Sequence, residues 1–305
     1  MLLPKWDKWE AWEEWYELDF ARRWWHFTPV SSNKLEQLQN LLRSYGSCLV
    51  AYSGGVDSAF LAYVAHQVLG EKSLAVLADS PSLPRRELEE AVAVAKQFAI
   101  PLRVIATEEF DNAEYLANPI DRCYFCKHEL FTQLAPVAKN GNFAVIAYGE
   151  NASDAGDLRP GLKAAGEFHV RAPLKEAGLT KSEIRALSER LGLPTADKPQ
   201  MACLSSRVPH GEPVTTEKLS MIERAEYVLR DLGFYDLRVR HHELRGQGMT
   251  LHLARIEVGV DEMPKFLNNG AFSRVAEELK KIGYAHVTLD LQGYSRKEVG
   301  IKKSP

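Results

Sequence analysis

Two rhythms of apolar residues alternate along most of the chain. Short runs such as Cys48-Leu49-Val50-Ala51-Tyr52 and Phe143–Tyr148 are apolar at nearly every position, which suits strands covered on both faces. Longer stretches between them place apolar residues every three or four positions, the spacing of a helix with one buried face. The pattern predicts a helix from Leu35 to about Leu42, strand Cys48–Tyr52, helix Asp57–Leu69, strand Leu74–Ala78 and helix Arg85–Phe98. It continues with strand Arg103–Ala106, helix Cys126–Ala138 and strand Phe143–Tyr148. Thr180-Lys181-Ser182-Glu183 has the spacing of a capping box and opens a further helix, which ends near Gly192-Leu193-Pro194.

Repeated βα units imply a doubly wound parallel sheet with helices on both faces, binding its ligand beyond the carboxyl ends of the strands. After Pro194 the pattern changes to a smaller α/β arrangement: helix Thr216–Asp231, strands Leu237–His241 and Thr250–Val258, helix Phe272–Ile282 and strand His286–Leu291. The expected organisation is therefore an N-terminal extension (1–32), a doubly wound α/β domain (33–195) and a smaller α/β domain for substrate or assembly (196–305). All six tryptophans fall in the extension among acidic residues. Trp6, Trp9, Trp12 and Trp15, spaced by three, spread over half a helix surface, which fits packing on the protein itself or on a neighbouring subunit, and a homo-oligomer is expected.

Composition narrows the setting. The chain has 305 residues, 38 Lys and Arg, 41 Asp and Glu and a formal charge of -3. That balance makes no general field for nucleic acid or an anionic membrane. No apolar run approaches the roughly 18 residues of a spanning helix, and the N-terminus lacks a signal-peptide core. The expectation is a cytoplasmic enzyme with neither nucleic-acid nor membrane partners. In a reducing compartment Cys48, Cys123, Cys126 and Cys203 are metal ligands, reactive thiols or core rather than disulfides. Cys48, inside an apolar strand, reads as core.

The loop Ser53-Gly54-Gly55-Val56-Asp57-Ser58 joins a buried strand to a helix, where free N–H groups and the helix dipole favour an anion. Gly54 and Gly55 allow the backbone to approach phosphate, Ser53 and Ser58 add hydroxyls, and Asp57 needs a cation or a donor to orient. The Gly-Lys-Ser/Thr ending of a Walker A loop is absent, and no lysine is placed to reach terminal phosphates. The hexapeptide resembles the PP-loop of ATP pyrophosphatases, a likeness that implies ATP cleavage between the α- and β-phosphates and transfer of AMP to a substrate oxygen.

Cys123 and Cys126 form a CxxC at a helix start, where the dipole and Arg122 or Lys127 favour thiolate, and Cys203 lies in a distant loop. Three thiolates suit three irons of a 4Fe-4S cluster with the fourth iron open. A zinc site closed by His128 or His210, and a catalytic thiol at Cys203 beside a buried or redox-active pair, are alternative readings.

Taken together, Ala51–Ser58, Ala78–Leu88, Asn118-Pro119 through Cys126, and Cys203-Leu204-Ser205-Ser206-Arg207 resemble the pyridinium-3,5-biscarboxylic acid mononucleotide sulfurtransferases. That family helps make the nickel-pincer nucleotide cofactor of lactate racemase, and the similarity runs from about residue 34 to 294. The resemblance implies that ATP, with Mg²⁺, adenylates a carboxylate of the pyridinium nucleotide and that protein-borne sulfur then displaces AMP. Some members sacrifice the sulfur of one cysteine at the position of Cys203, leaving dehydroalanine. Others use three cysteines and a 4Fe-4S cluster, and Cys123, Cys126 and Cys203 are similar to that set. A tRNA-thiolating enzyme, a zinc-stapled nucleotide-binding protein and an ammonia-using synthetase are the rival functions.

Arginine pairs well with phosphate and carboxylate, so Arg207, Arg238, Arg240 and Arg255 are the candidate substrate ligands, Arg207 foremost because it is close to Cys203. Asp154 and Asp157, in the loop after strand Phe143–Tyr148, are candidates to help hold Mg²⁺. Glu223 and Glu226 read as a solvated helix face.

Overall fold

The computed structural model describes residues 29–154, 160–199, 202–246, 248–267 and 271–294. The tryptophan-rich segment, Asp157 and the tail from Ser295 lie outside the described residues. The main elements are α1 (Pro29–Tyr45), β1 (Cys48–Tyr52), α2 (Val56–Leu69), β2 (Ser73–Asp79), α3 (Arg85–Gln97), β3 (Leu102–Ala106), α4 (Arg122–Asn140), β4 (Val145–Tyr148), α5 (Lys181–Arg190), α6 (Thr216–Asp231), β5 (Leu237–Gly246), β6 (Met249–Val258), α7 (Ala271–Ile282) and β7 (His286–Leu289). Two compact units result. The first takes the chain up to Ala78 together with Glu87–Ile105 and Leu130–Gln200; the second takes Asp79–Arg86, Ala106–Glu129 and the chain after position 200. A single cut near residue 195 thus differs from the observed division, because two inner segments join the C-terminal part.

In the first unit a four-stranded parallel sheet has the order β3-β2-β1-β4. β1 is central, with Cys48 opposite Ser73 on one side and Val145 on the other. Cys48, Leu49, Val50 and Tyr52 are buried, and Cys48 is fully enclosed, so that burial pushes its thiol up to about 12. α2 is apolar nearly all round, and Val56 and Ala59–Ala65 are buried. From β1 the chain moves outward through β2 to β3, while β4 lies on the opposite side of β1. The order therefore reverses at β1, and the crevice of a doubly wound sheet opens at its carboxyl end. Residue 53 begins there.

In the second unit β5 and β6 form an antiparallel hairpin and β7 pairs parallel to β6. β5 runs to Gly246, beyond the expected end at His241, because Glu243 and Arg245 alternate with apolar residues and their backbone still pairs with β6. Val239, Ala254, Ile256 and Val258 face Leu229, Val275 and Leu279 in its core.

His241 is fully buried in that core, with Nδ1 3.2 Å from the Tyr284 hydroxyl and Nε2 3.1 Å from His252 Nδ1. Burial, then the charges of His252 and Lys218, hold its pKa down to about 4. An unfolded histidine protonates near 6.5, so the stability contributed by the neutral ring is complete above about pH 6.5 and lost as the pH falls toward 4. Urea unfolding at pH 7 and pH 4.5 should differ by up to about 3 kcal/mol from this source. His241→Gln should flatten the difference; an equal slope in both proteins would assign the loss to other groups.

Candidate functional site

The chain leaves β1 through Ser53-Gly54-Gly55 and enters α2. Gly54 adopts φ +69, a left-handed conformation that costs glycine little. The turn is tied by its serines: Ser58 Oγ accepts from the Ser53 N–H at 3.1 Å, meets Ser53 Oγ at 3.0 Å and donates to the Gly55 carbonyl at 3.2 Å. Gly55 is the N-cap of α2 and no side chain caps the helix there, which suits an anion at its N-terminus. Gly149, after β4, completes the crevice, since a Cβ there would lie 2.9 Å from Ser58 N and 3.1 Å from Asp57 Cβ.

The two loop glycines have separable roles. A Cβ on Gly54 would meet Ala91 Cβ at 2.5 Å, whereas one on Gly55 would meet only Ser53 Oγ at 3.5 Å. Gly54→Ala should therefore cost about 1–3 kcal/mol of stability, from strain and overpacking. Gly55→Ala should fold normally and bind ATP roughly tenfold more weakly, because the added methyl stands where phosphate approaches. Denaturant midpoints and calorimetric ATP titration of both variants check this, and an ATP affinity unchanged by Gly55→Ala would refute the cradle.

The loop has no lysine of its own, and the fold brings one to it from elsewhere in the chain. Lys181, at the start of α5, brings Nζ to 2.6 Å from Asp57 Oδ2 across 124 residues of sequence. α5 is fixed by the capping box of Thr180 and Glu183, and Lys34 anchors Glu183 at 2.7 Å. Burial raises the Asp57 pKa, Lys181 opposes the rise and Asp154 adds to it. Asp57 Oδ1 is buried without a hydrogen-bond partner. A carboxylate oxygen in that position is costly unless a cation or donor meets it, so the residues present fit Mg²⁺ beside bound phosphates, with Asp154 close by. The capping box marked where Lys181 sits on its helix; nothing in the sequence told which strand end it faces.

Cys123, Cys126 and Cys203 occupy the second unit. α4 begins at Arg122, four residues before the expected start, so Cys123 and Cys126 lie in its opening turns; Cys203 precedes the short helical turn Leu204–Arg207. That turn is bound from several sides. Leu204 N–H donates to Ser82 O at 2.9 Å, and the Tyr115 hydroxyl meets Ser205 Oγ at 2.8 Å. Asn118, fully buried at φ +55, donates to Pro209 O at 2.7 Å and Glu212 O at 3.0 Å. Cys123 is exposed, while Cys126 and Cys203 are half-buried. Burial raises the Cys126 thiol well above its ordinary value, and Cys203 adds to the rise. Burial and Cys203 also raise Cys123, against Arg122 and Lys127. The thiols are near enough to feel one another's charge.

Among the described residues, His241, Glu243 and His252 are the group of three whose ligand atoms lie within 4.8 Å of one another; the three thiols, with or without His128 or His210, are not. A tetrahedral zinc with bonds of about 2.0–2.3 Å needs closer ligands than that limit, so the single-zinc reading finds no set of three here. A 4Fe-4S cluster spreads its thiolates over separate irons, and the cysteine donor set fits it. At the histidine group, Glu243 is already held by Lys218 Nζ at 2.8 Å and by Arg245 Nη2 at 2.8 Å, and two cations there disfavour a third.

The candidate arginines divide. Arg207 is 1% exposed, and its guanidinium is engaged by Glu226 at 2.9 and 3.2 Å, Ala202 O at 2.6 Å and Cys203 O at 3.1 Å. It holds the Cys203 loop. Glu226, expected on a solvated face, is buried with it, and Glu223 accepts from the Tyr227 hydroxyl at 2.7 Å. Arg240 pairs with Glu257 at 3.0 Å, and Arg255 with Glu257 at 3.1 Å and with Asp290. Arg238 shares their sheet face and lies 4.7 Å over the Tyr294 ring, with no acidic partner among the described residues.

A parallel sheet with a glycine loop at its switch point, and a lysine delivered from a remote helix, defines an α/β nucleotide-binding protein of the PP-loop class. The NAD synthase family pattern matches residues 32–118. The chain is 42% identical over 262 residues to an uncharacterized protein of Synechocystis sp., covering 86% of this chain and 95% of that one. It is 32% identical over 265 residues to the pyridinium-3,5-bisthiocarboxylic acid mononucleotide synthase of Lactiplantibacillus plantarum, covering 86% and 92%. The chain belongs to the family of that synthase. A more distant similarity, 28% over 165 residues, links 49% of this chain to 44% of a glutamine-hydrolyzing GMP synthase component from Sulfurisphaera tokodaii. Among the described residues no helix is long and apolar enough to cross a membrane.

Proposed function

We propose that the protein is an ATP-dependent sulfurtransferase. It adenylates carboxylates of pyridinium-3,5-biscarboxylic acid mononucleotide and converts them to thiocarboxylates, a step in nickel-pincer nucleotide biosynthesis that serves lactate racemase maturation. The observation that carries the reading is the assembly of Cys123, Cys126 and Cys203 in one unit of a chain of this family.

A carboxylate resists attack because its leaving group is oxide. In this reading the α2 N-terminus and Lys181 hold the phosphates, and Asp57 Oδ1 with Asp154 carries Mg²⁺. The substrate oxygen bonds to the α-phosphorus and pyrophosphate leaves. Sulfur then bonds to the acyl carbon as AMP departs with the electron pair of the broken C–O bond. Cys123, Cys126 and Cys203 would hold a 4Fe-4S cluster, which would supply a carrier for the transferred sulfide. Arg238, the candidate arginine without an acidic partner among the described residues, takes the substrate's phosphate or carboxylate. The protein acts in the cytoplasm as a homo-oligomer, drawing on a sulfide source.

Iron and peptide mass test the proposal together. Protein prepared without oxygen should be coloured, hold about four irons per chain and, given sulfide, turn over repeatedly with Cys203 still a cysteine. Serine at any one of the three positions should remove colour, iron and sulfur transfer together. Dehydroalanine at Cys203, rising in proportion to product, would replace the cluster with a sacrificed thiol and leave the reaction standing.

A further inference from the structure

Beside the three thiols lies a charge that the proposed chemistry leaves unused. Arg122 is 3% exposed. Its Nη1 donates to Asn118 Oδ1 and to the Ser205 carbonyl at 3.0 Å, both neutral acceptors. Nη2 lies 4.0 Å from Cys203 Sγ, and the Arg122 charge also acts on the neighbouring Cys123 thiol. Among the described residues no carboxylate pairs with it. Buried Glu109 has its Oε1 taken by Ser80 and Ser82 and makes no ion pair with Arg122.

A buried guanidinium without a counter-ion costs several kcal/mol. Elsewhere in the same unit the cost is met directly, since buried Arg207 is matched by buried Glu226. The group in contact with Arg122 that can become negative is the Cys203 thiol, with Cys123 next to Arg122 in sequence.

We propose that Arg122 is the built-in counter-ion of the three-cysteine site and restricts it to anionic sulfur: thiolates, an anionic iron–sulfur cluster and the hydrosulfide it receives. The identity of the occupant rests on the sulfur-transfer reading; the positive field at Cys203 does not. Arg122 is a positioning residue that acts through charge, and its fork also steadies the Ser205 carbonyl, so the test must separate the two.

A pair of thiosulfonate reagents that differ only in the sign of their charge makes that separation, because their rate ratio at one thiol cancels its ionisation and accessibility. With the unaltered, metal-free full chain, the anionic reagent should label Cys203 at least threefold faster than the cationic one, read by peptide mass. The chain's net charge of -3 alone predicts the reverse order. Arg122→Gln should lower the ratio by roughly threefold or more, and Arg122→Lys should keep it within twofold. After anaerobic cluster assembly, Arg122→Gln should lose iron to a chelator at roughly 10–100-fold lower competitor concentration, with Arg122→Lys near wild type. A wild-type ratio favouring the cation would overturn the proposal, as would Gln and Lys variants that fall equally. A wild-type chain that takes up no iron would remove the cluster, while the reagent ratio still decides the role of Arg122.

Discussion

Lys181→Met should lower AMP and pyrophosphate formation by about 10²–10³-fold, in a protein that stays folded and keeps its three cysteines. The magnitude is that of removing one preorganised donor aimed at developing charge in a dry site. The loop sequence lacks a cation, and Lys181 stands 2.6 Å from Asp57, in the first turn of α2. The same change strands Asp57, whose other oxygen is already buried and unpartnered, so the site loses a positive charge and the ionised form of its carboxylate becomes harder to keep. Lys181→Arg keeps the charge with a different reach and should retain part of the rate. The measurement is AMP and pyrophosphate release with the pyridinium nucleotide as acceptor. A Lys181→Met rate within threefold of wild type would reduce Lys181 to a structural partner of Asp57, and ADP in place of AMP would overturn the PP-loop assignment itself.

Arg207→Ala should destabilise the second unit by about 3–5 kcal/mol, the cost of breaking a buried ion pair and leaving one charge alone. Arg207 and Glu226 are 1% and 3% exposed, and Glu226 Oε1 also accepts from the Val239 N–H at 3.1 Å. Arg207 thus ties the Cys203 loop to α6 and the edge of β5. Adding Glu226→Leu to Arg207→Ala should recover much of the stability by removing the stranded carboxylate, yet leave the loop without its tether. Urea unfolding of the single and double variants reads the first effect, and iron retention reads the second. Arg207→Ala with wild-type stability and a raised KM for substrate alone would return Arg207 to the role of substrate ligand.

The cysteine site shows how far local signals carry. CxxC at a helix start and the Cys203 loop are each visible as short sequence patterns, since loop chemistry and helix starts depend on neighbours a few positions away. That Asn118, Tyr115 and Ser82 bind the Cys203 loop is not visible, because those hydrogen bonds join residues about ninety or more positions apart. The surroundings of the arginines were hidden for a related reason. Closeness to Cys203 in sequence favoured Arg207, but burial against Glu226 spends its charge, while Arg238 keeps its own.

The βα rhythm, the strand Cys48–Tyr52, the capping box at Thr180 and the glycine loop were determined by the sequence alone, because the periodicity of burial and the dihedral needs of a turn are properties of consecutive residues. The tertiary structure alone decided that β1 is the switch strand, that Lys181 reaches Asp57, that β5 continues through Glu243 and Arg245, and that Arg122 is buried among thiols without a carboxylate. Each of these depends on which distant segments meet once loops close, and a local pattern of apolar and polar residues carries no distance between them.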